Sequence, residues 1–173
     1  MKKLRVAGPI IGILACIVGV YLYLSDDSGM KVTLKKNDPV AAKEAQTKID
    51  KGFAAPVSSK VTDKYETMSE GELIQEVHNM THQKVEADKK WGASEITADK
   101  VQKLNEVIQN KDFKNSSNKQ MLLQILEPWT RQDFSNSVSA HNKIWSYQNG
   151  NIGKATRLLT PQEELDYIED EFR

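Results

Sequence analysis

The chain has 173 residues, enough for one domain of ordinary size and a little more. Lys plus Arg and Asp plus Glu both number 24, so no net field draws the chain to nucleic acid, and no basic face marks a nucleic-acid reader. The single cysteine, Cys16, lies in an apolar run near the start, so everything beyond it is without disulfides, thiolate-ligated zinc or a cysteine nucleophile.

Residues 6–24 read VAGPIIGILACIVGVYLYL, roughly nineteen positions without a charge. At about 1.5 Å per residue, a helix of this length matches the ~30 Å hydrocarbon layer of a bilayer. Lys2, Lys3 and Arg5 precede it, and Asp26 and Asp27 follow it. Residues 1–24 are therefore expected to form a cytoplasmic tip and a single transmembrane anchor, with the C-terminal part outside the cell membrane. Tyr21 and Tyr23 fall where an interfacial aromatic belt would sit. A cleaved signal peptide fits less well, because the run is long and no A-x-A site follows it. Ile13-Leu14-Ala15-Cys16 offers an alternative, a lipobox with lipid on Cys16, but the sequence stays apolar beyond that cysteine. Gly8, Gly12 and Cys16 recur every four residues and would allow a close-packed helix homodimer; chance spacing explains them as well.

Residues 25–68 are polar and thin in large apolar side chains, and are expected to be an extracytoplasmic stalk. One short helix is predicted within it, from a cap at Asp38 and an N1 proline at Pro39 to a stop at Gly52. From Ser69 the pattern changes, and residues 69–173 are expected to form a bundle of four to five short amphipathic helices. Ser69 and Glu72 have capping-box spacing, and Leu73, Ile74, Val77, Met80 and Val85 recur at helical intervals, predicting a helix that ends before Trp91-Gly92. Thr97 caps a second helix with Val101, Leu104, Val107 and Ile108. Ser116 or Ser117 opens a third with Met121, Leu122, Ile125, Leu126 and Trp129, broken or kinked near its end by Pro128. Asp133 begins a fourth with Phe134, Val138, His141, Ile144 and Trp145, closed by Asn149-Gly150. Residues 152–159 read as extended or irregular. Thr160-Pro161-Gln162-Glu163 then starts a last helix with Leu165, Ile168 and Phe172. The fold class is mainly α, and no alternation predicts a dominant sheet.

Several short runs are distinctive in combination: His78-Asn79-Met80-Thr81-His82-Gln83-Lys84, Lys90-Trp91-Gly92, Phe134-Ser135-Asn136-Ser137-Val138, His141-Asn142-Lys143-Ile144-Trp145, and Gly153-Lys154-Ala155-Thr156-Arg157-Leu158-Leu159. Over roughly the last hundred residues the chain resembles a family of small, uncharacterised, membrane-anchored proteins of Bacillus-type Gram-positive bacteria that carry a domain of unknown function. The resemblance implies an anchored envelope protein and no particular activity.

His78 and His82 stand four apart, on one side of a helix, with Glu86 one turn on. Two imidazoles so spaced can chelate a divalent ion, and His141 or a carboxylate can complete the set. The zinc-protease pattern fails, because Asn79 stands where the catalytic glutamate belongs. On a helical wheel both histidines fall at the edge of the apolar face, where they can equally be boundary residues. His141 sits mid-stripe and is expected to be buried and hydrogen-bonded, with Asn142, Gln148 or the first helix as partners. Lys84 lies on the apolar face, where it snorkels, pairs with Asp88, or converges with His82, Gln83, His141 and Asn142 on a polar pocket for an anionic group. Residues 150–156 lack the frame of a phosphate-binding loop, and no nucleophile elbow or catalytic carboxylate pair is present.

Two functions follow from this. The first is a non-enzymatic, membrane-tethered extracytoplasmic module, without a cofactor, that binds an envelope protein or polymer. The second is a metal-binding protein or metal-dependent enzyme using His78, His82 and His141.

Overall fold

The computed structural model describes residues 38–173, and the anchor, the lipobox at Cys16 and the small-residue stripe of Gly8, Gly12 and Cys16 lie outside that range. Among the described residues, no helix is long and apolar enough to cross a membrane. These residues form a mainly helical unit: α1 (Pro39–Phe53), α2 (Ser59–Thr67), α3 (Glu70–Thr81), β1 (Val85–Glu86), α4 (Ala98–Asn110), α5 (Ser116–Trp129), α6 (Ser137–Tyr147), β2 (Arg157–Leu158) and α7 (Pro161–Phe172).

The local signals act where they stand. Ser69 and Glu72 close a reciprocal capping box at the start of α3, and Thr160 and Glu163 do the same for α7, each satisfying two otherwise orphaned N–H groups. Thr97 accepts from the Lys100 N–H to cap α4. Helix α5 runs one residue past Pro128 and stops. Its opening cap is Asn115 rather than a serine, because the shorter Asx turn to Ser117 takes the first free N–H. Helix α6 begins at Ser137, leaving Phe134 in the preceding turn. It ends in a Schellman turn, with Asn149 at φ 57° and the Gly150 N–H donating to the Trp145 carbonyl.

The main core joins α2 through α6 around Trp129, Tyr65, Leu73, Ile74, Met80, Leu104, Ile108, Leu122, Leu126 and Ile144. Helix α4 packs on α2 and α5, and α3 packs on α5 and α6. A smaller apolar cluster holds α1 against α7 through Ala45, Ile49, Leu165, Ile168 and Phe172.

Two expectations need correction. Residues 38–68 are built into the unit and are not a free stalk. The predicted helix forms as α1, its narrow stripe of Ala45 and Ile49 suffices to dock on α7, and Tyr65 of α2 is fully buried. The narrowness of that stripe in one helix says little when a second helix supplies the complementary face.

The second correction concerns the first predicted helix, which ends at Thr81 and does not carry through Val85. Beyond that point the backbone takes its hydrogen bonds from a segment some seventy residues away. The Leu159 N–H donates to the Lys84 carbonyl and the Thr156 N–H to the Glu86 carbonyl, and Val85 and Glu86 pair antiparallel with Leu158 and Arg157. Val85 is buried as the helical spacing suggests, but as a strand residue. The stretch read as extended supplies that second strand.

Candidate metal centre

Helices α3 and α6 pack side by side, and their contact brings three imidazoles together. His78 stands in the last turn of α3, His82 caps its C-terminus and His141 lies in the middle of α6. The ring centroids are 5.0 Å apart for His78–His82, 4.6 Å for His78–His141 and 5.3 Å for His82–His141. One ring nitrogen from each lies within 4.8 Å of the others. All three are buried, which corrects the expectation that His78 and His82 are boundary residues. The returning segment 149–153 covers the side of α3 that a single-helix projection leaves at the edge.

Two backbone carbonyls fix the rings. His82 Nδ1 lies 2.7 Å from the Gly92 carbonyl and His141 Nε2 lies 2.9 Å from the Gly153 carbonyl. A carbonyl only accepts, so those nitrogens carry the protons, and in the neutral rings His82 Nε2 and His141 Nδ1 hold the lone pairs. Both glycines have positive φ, 81° at Gly92 and 86° at Gly153. A Cβ at Gly153 would stand 2.4 Å from the Lys89 carbonyl oxygen, so any larger residue there forces the backbone to shift. Metal-binding histidines are commonly held in this way, by a carbonyl on the nitrogen that does not ligate.

Thr81 completes the frame. Its Oγ1 lies 2.5 Å from the His78 carbonyl and 2.9 Å from His141 Nδ1. One hydroxyl proton cannot serve both acceptors, and a cation on Nδ1 would leave it to the carbonyl.

His78 is the anomaly. Among the described residues neither of its ring nitrogens meets a hydrogen-bond partner, although both are shielded from solvent. Burial, then the charge of His141, pushes its pKa down to about 4, and the polar Gln148 side chain beside it acts in the opposite direction. Burial also takes His82 to about 4, against the stabilising Gly92 carbonyl, and lowers His141. The three rings are therefore neutral at pH 7, the state that donates to metals.

The cluster forms part of the wall of a cavity of about 300 Å³. Trp91, Trp145, Ile152, Lys89 and Gln148 also line it. Trp145 is held in place by a 2.8 Å bond from Nε1 to the Ile152 carbonyl and by its indole lying on Gly150, where a Cβ would come within 2.3 Å of the ring.

The other predicted binding residues do not join this site. Gln83 donates to Glu164 Oε1 at 2.9 Å and accepts from the Ile96 N–H. Lys84 is buried, pairs with Glu164 at 2.5 Å and places its ammonium 4.1 Å from the Phe134 ring centroid, so it neither snorkels nor pairs with Asp88. Asn142 clamps the Ala155 backbone through both its amide atoms. These three tie α3 and α6 to α7 and the β2 segment, while His82 and His141 face the cavity. Glu86 bonds along β1 and is outside the cluster. Sequence reasoning passed over Thr81, Gly92 and Gly153 as orienting groups. Gly92 and Gly153 stood in the distinctive runs, but only the folded chain aims their carbonyls.

Residues 77–169 match a family of unknown function (DUF6241), a span of more than half the chain. The chain belongs to this family. All three histidines, Thr81 and both orienting glycines of this DUF6241 domain fall inside the matched span. No curated protein and no solved structure matches the chain.

Proposed function

We propose that the DUF6241 domain binds a divalent transition-metal ion, zinc foremost, through His78, His82 and His141, and that the chain displays it outside the cell on an N-terminal membrane anchor. The observation that carries the metal reading is His78, a buried ring with two unsatisfied nitrogens beside two others whose tautomers are already set. Leaving a buried polar group without a partner costs roughly 1–3 kcal/mol. A ligand that uses the lone pair offsets that cost. Three imidazoles suit zinc, copper or nickel better than calcium or magnesium, which prefer oxygen. Ligand nitrogens around tetrahedral zinc lie about 3.4 Å apart, given Zn–N bonds of about 2.0–2.1 Å. The rings must therefore close in somewhat, and His78 has no hydrogen bond to break in doing so.

The anchor rests on the uncharged run 6–24 with cations before it and acids after it, and on the resemblance to membrane-anchored Gram-positive proteins. An envelope partner and pairing through Gly8, Gly12 and Cys16 belong to the same picture of a tethered protein, and lipid on Cys16 is the alternative form of the tether.

The test is elemental analysis of the full-length chain, purified in mild detergent and equilibrated with micromolar free zinc. About one equivalent of zinc is expected, and none in His82→Ala. A wild-type chain without zinc would end the metal reading. For the topology, protease added to intact protoplasts should digest the domain, and an uncut domain would place it inside.

A further inference from the structure

The histidine cluster lacks what a closed structural zinc site has, a fourth protein ligand and negative charge. Among the described residues, no third-party carboxylate or thiolate joins the three histidines within ligand distance. None of the residues lining the cavity is acidic, and Lys89 adds a positive charge to it. A divalent ion held by three neutral imidazoles keeps its full charge of two, in a half-enclosed space where that charge is poorly screened. Zinc sites with three protein ligands leave the fourth position to water or an exogenous group.

The walls specify more than charge. Trp91 and Ile152 are 65% and 50% exposed, unusual for large apolar side chains that border a cavity. Trp145 stands with them, locked by Ile152 and Gly150 as described above. The volume of about 300 Å³ is at the small end of the range for small-molecule pockets. The three features sit in one cavity: a cation-binding floor, a lysine and an indole wall.

Building on the metal reading, we infer that this cavity receives a small organic anion, whose carboxylate or phosphate oxygen takes the open position on the metal while its apolar body lies against Trp91, Trp145 and Ile152. Lys89 contributes the second positive charge. Gln75 and Gln148, hydrogen-bonded to each other at 2.8 Å, close one side with amide groups.

The experiment uses the full-length chain loaded with Co²⁺, whose visible d–d bands report the coordination sphere. Benzoate, phenyl phosphate, acetate and benzamide are titrated in turn. Benzoate or phenyl phosphate should shift the bands and bind at least tenfold more tightly than acetate, and the tighter of the two names the anionic group. Benzamide should leave the bands unchanged. Lys89→Gln should weaken the aromatic anion about tenfold, and Trp91→Ala should erase its advantage over acetate. A chain that binds Co²⁺ with bands indifferent to all four compounds overturns this inference and leaves the metal reading standing. A chain that takes up no Co²⁺ removes both.

Discussion

Helix α3 carries two buried polar clusters on nearly opposite sides, and they are built on different principles. On one side Glu76 accepts from the Tyr65 hydroxyl at 2.9 Å and from Ser94 Oγ at 2.8 Å, with Lys64 at 3.6 Å. Lys100 extends the network by donating to Ser94 Oγ and to the Glu95 carbonyl. Every charge there has its partner within the protein, and the cluster ties α2, α3 and α4 together. On the other side, His78 has no hydrogen-bond partner among the described residues, and the rings of His82 and His141 lie 5.0 and 4.6 Å from it. Two residues and about 200° of helix separate Glu76 from His78. The first network meets its hydrogen-bonding needs within the protein, whereas the second leaves both ring nitrogens of His78 without a partner, the feature behind the proposed metal site.

The difference is testable, because the same perturbation should act with opposite sign on the two sides. The largest effect is expected from acid. His78 and His82 titrate near 4 in the folded chain and near 6.5 when unfolded, so between those values the unfolded state binds more protons. Stability should be whole above about pH 6.5 and fall as pH drops toward 4. The loss should be about 4 kcal/mol for the two rings together, after allowing for water in the cavity. Urea melts in EDTA across that window would check it; a flat profile would mean the rings are not held neutral.

Next in size is Glu76→Ala, which strands the Tyr65 hydroxyl and removes the carboxylate that most favours the Lys100 charge; a loss of about 3 kcal/mol is expected in the same melts. Gly153→Ala should cost about 2 kcal/mol, from its positive φ and the clash with the Lys89 carbonyl, and should also weaken zinc binding because the His141 carbonyl partner shifts. Isothermal titration with zinc separates that from a purely structural defect. The smallest effect is the most telling. His78→Leu should stabilise the metal-free domain by about 1 kcal/mol while abolishing zinc uptake, because it removes a buried polar group that has no partner. Destabilisation by His78→Leu, on the scale of Glu76→Ala, would erase the contrast between the two sides.

Much of the helical framework was legible in the residues, since caps and stops act within one turn of chain. Asp38-Pro39, Ser69 with Glu72, Thr97, and Thr160 with Glu163 mark helix starts that the structure realises. The pairing of His78 with His82 was legible for the same reason, as four residues bring side chains to one face of a helix. The early end of α3 was not legible. It depends on the backbone of residues 156–159 arriving beside residues 84–86. Lys84 shows the same limit: its nearest acid in sequence is Asp88, but its partner in the fold is Glu164 on α7.

By itself, then, the sequence determined the local matters: where helices begin, which faces are apolar, and which two histidines share a side. It also placed the uncharged run and its flanking charges at the start of the chain. The tertiary structure alone decided that His141 meets His78 and His82, that Gly92 and Gly153 turn their carbonyls onto two of the rings, and that an indole-walled cavity lies over them. Those relations span about ten to seventy residues, beyond the reach of a helical repeat, and arise only when the packing of α3 on α6 fixes both the distance and the dielectric around the rings.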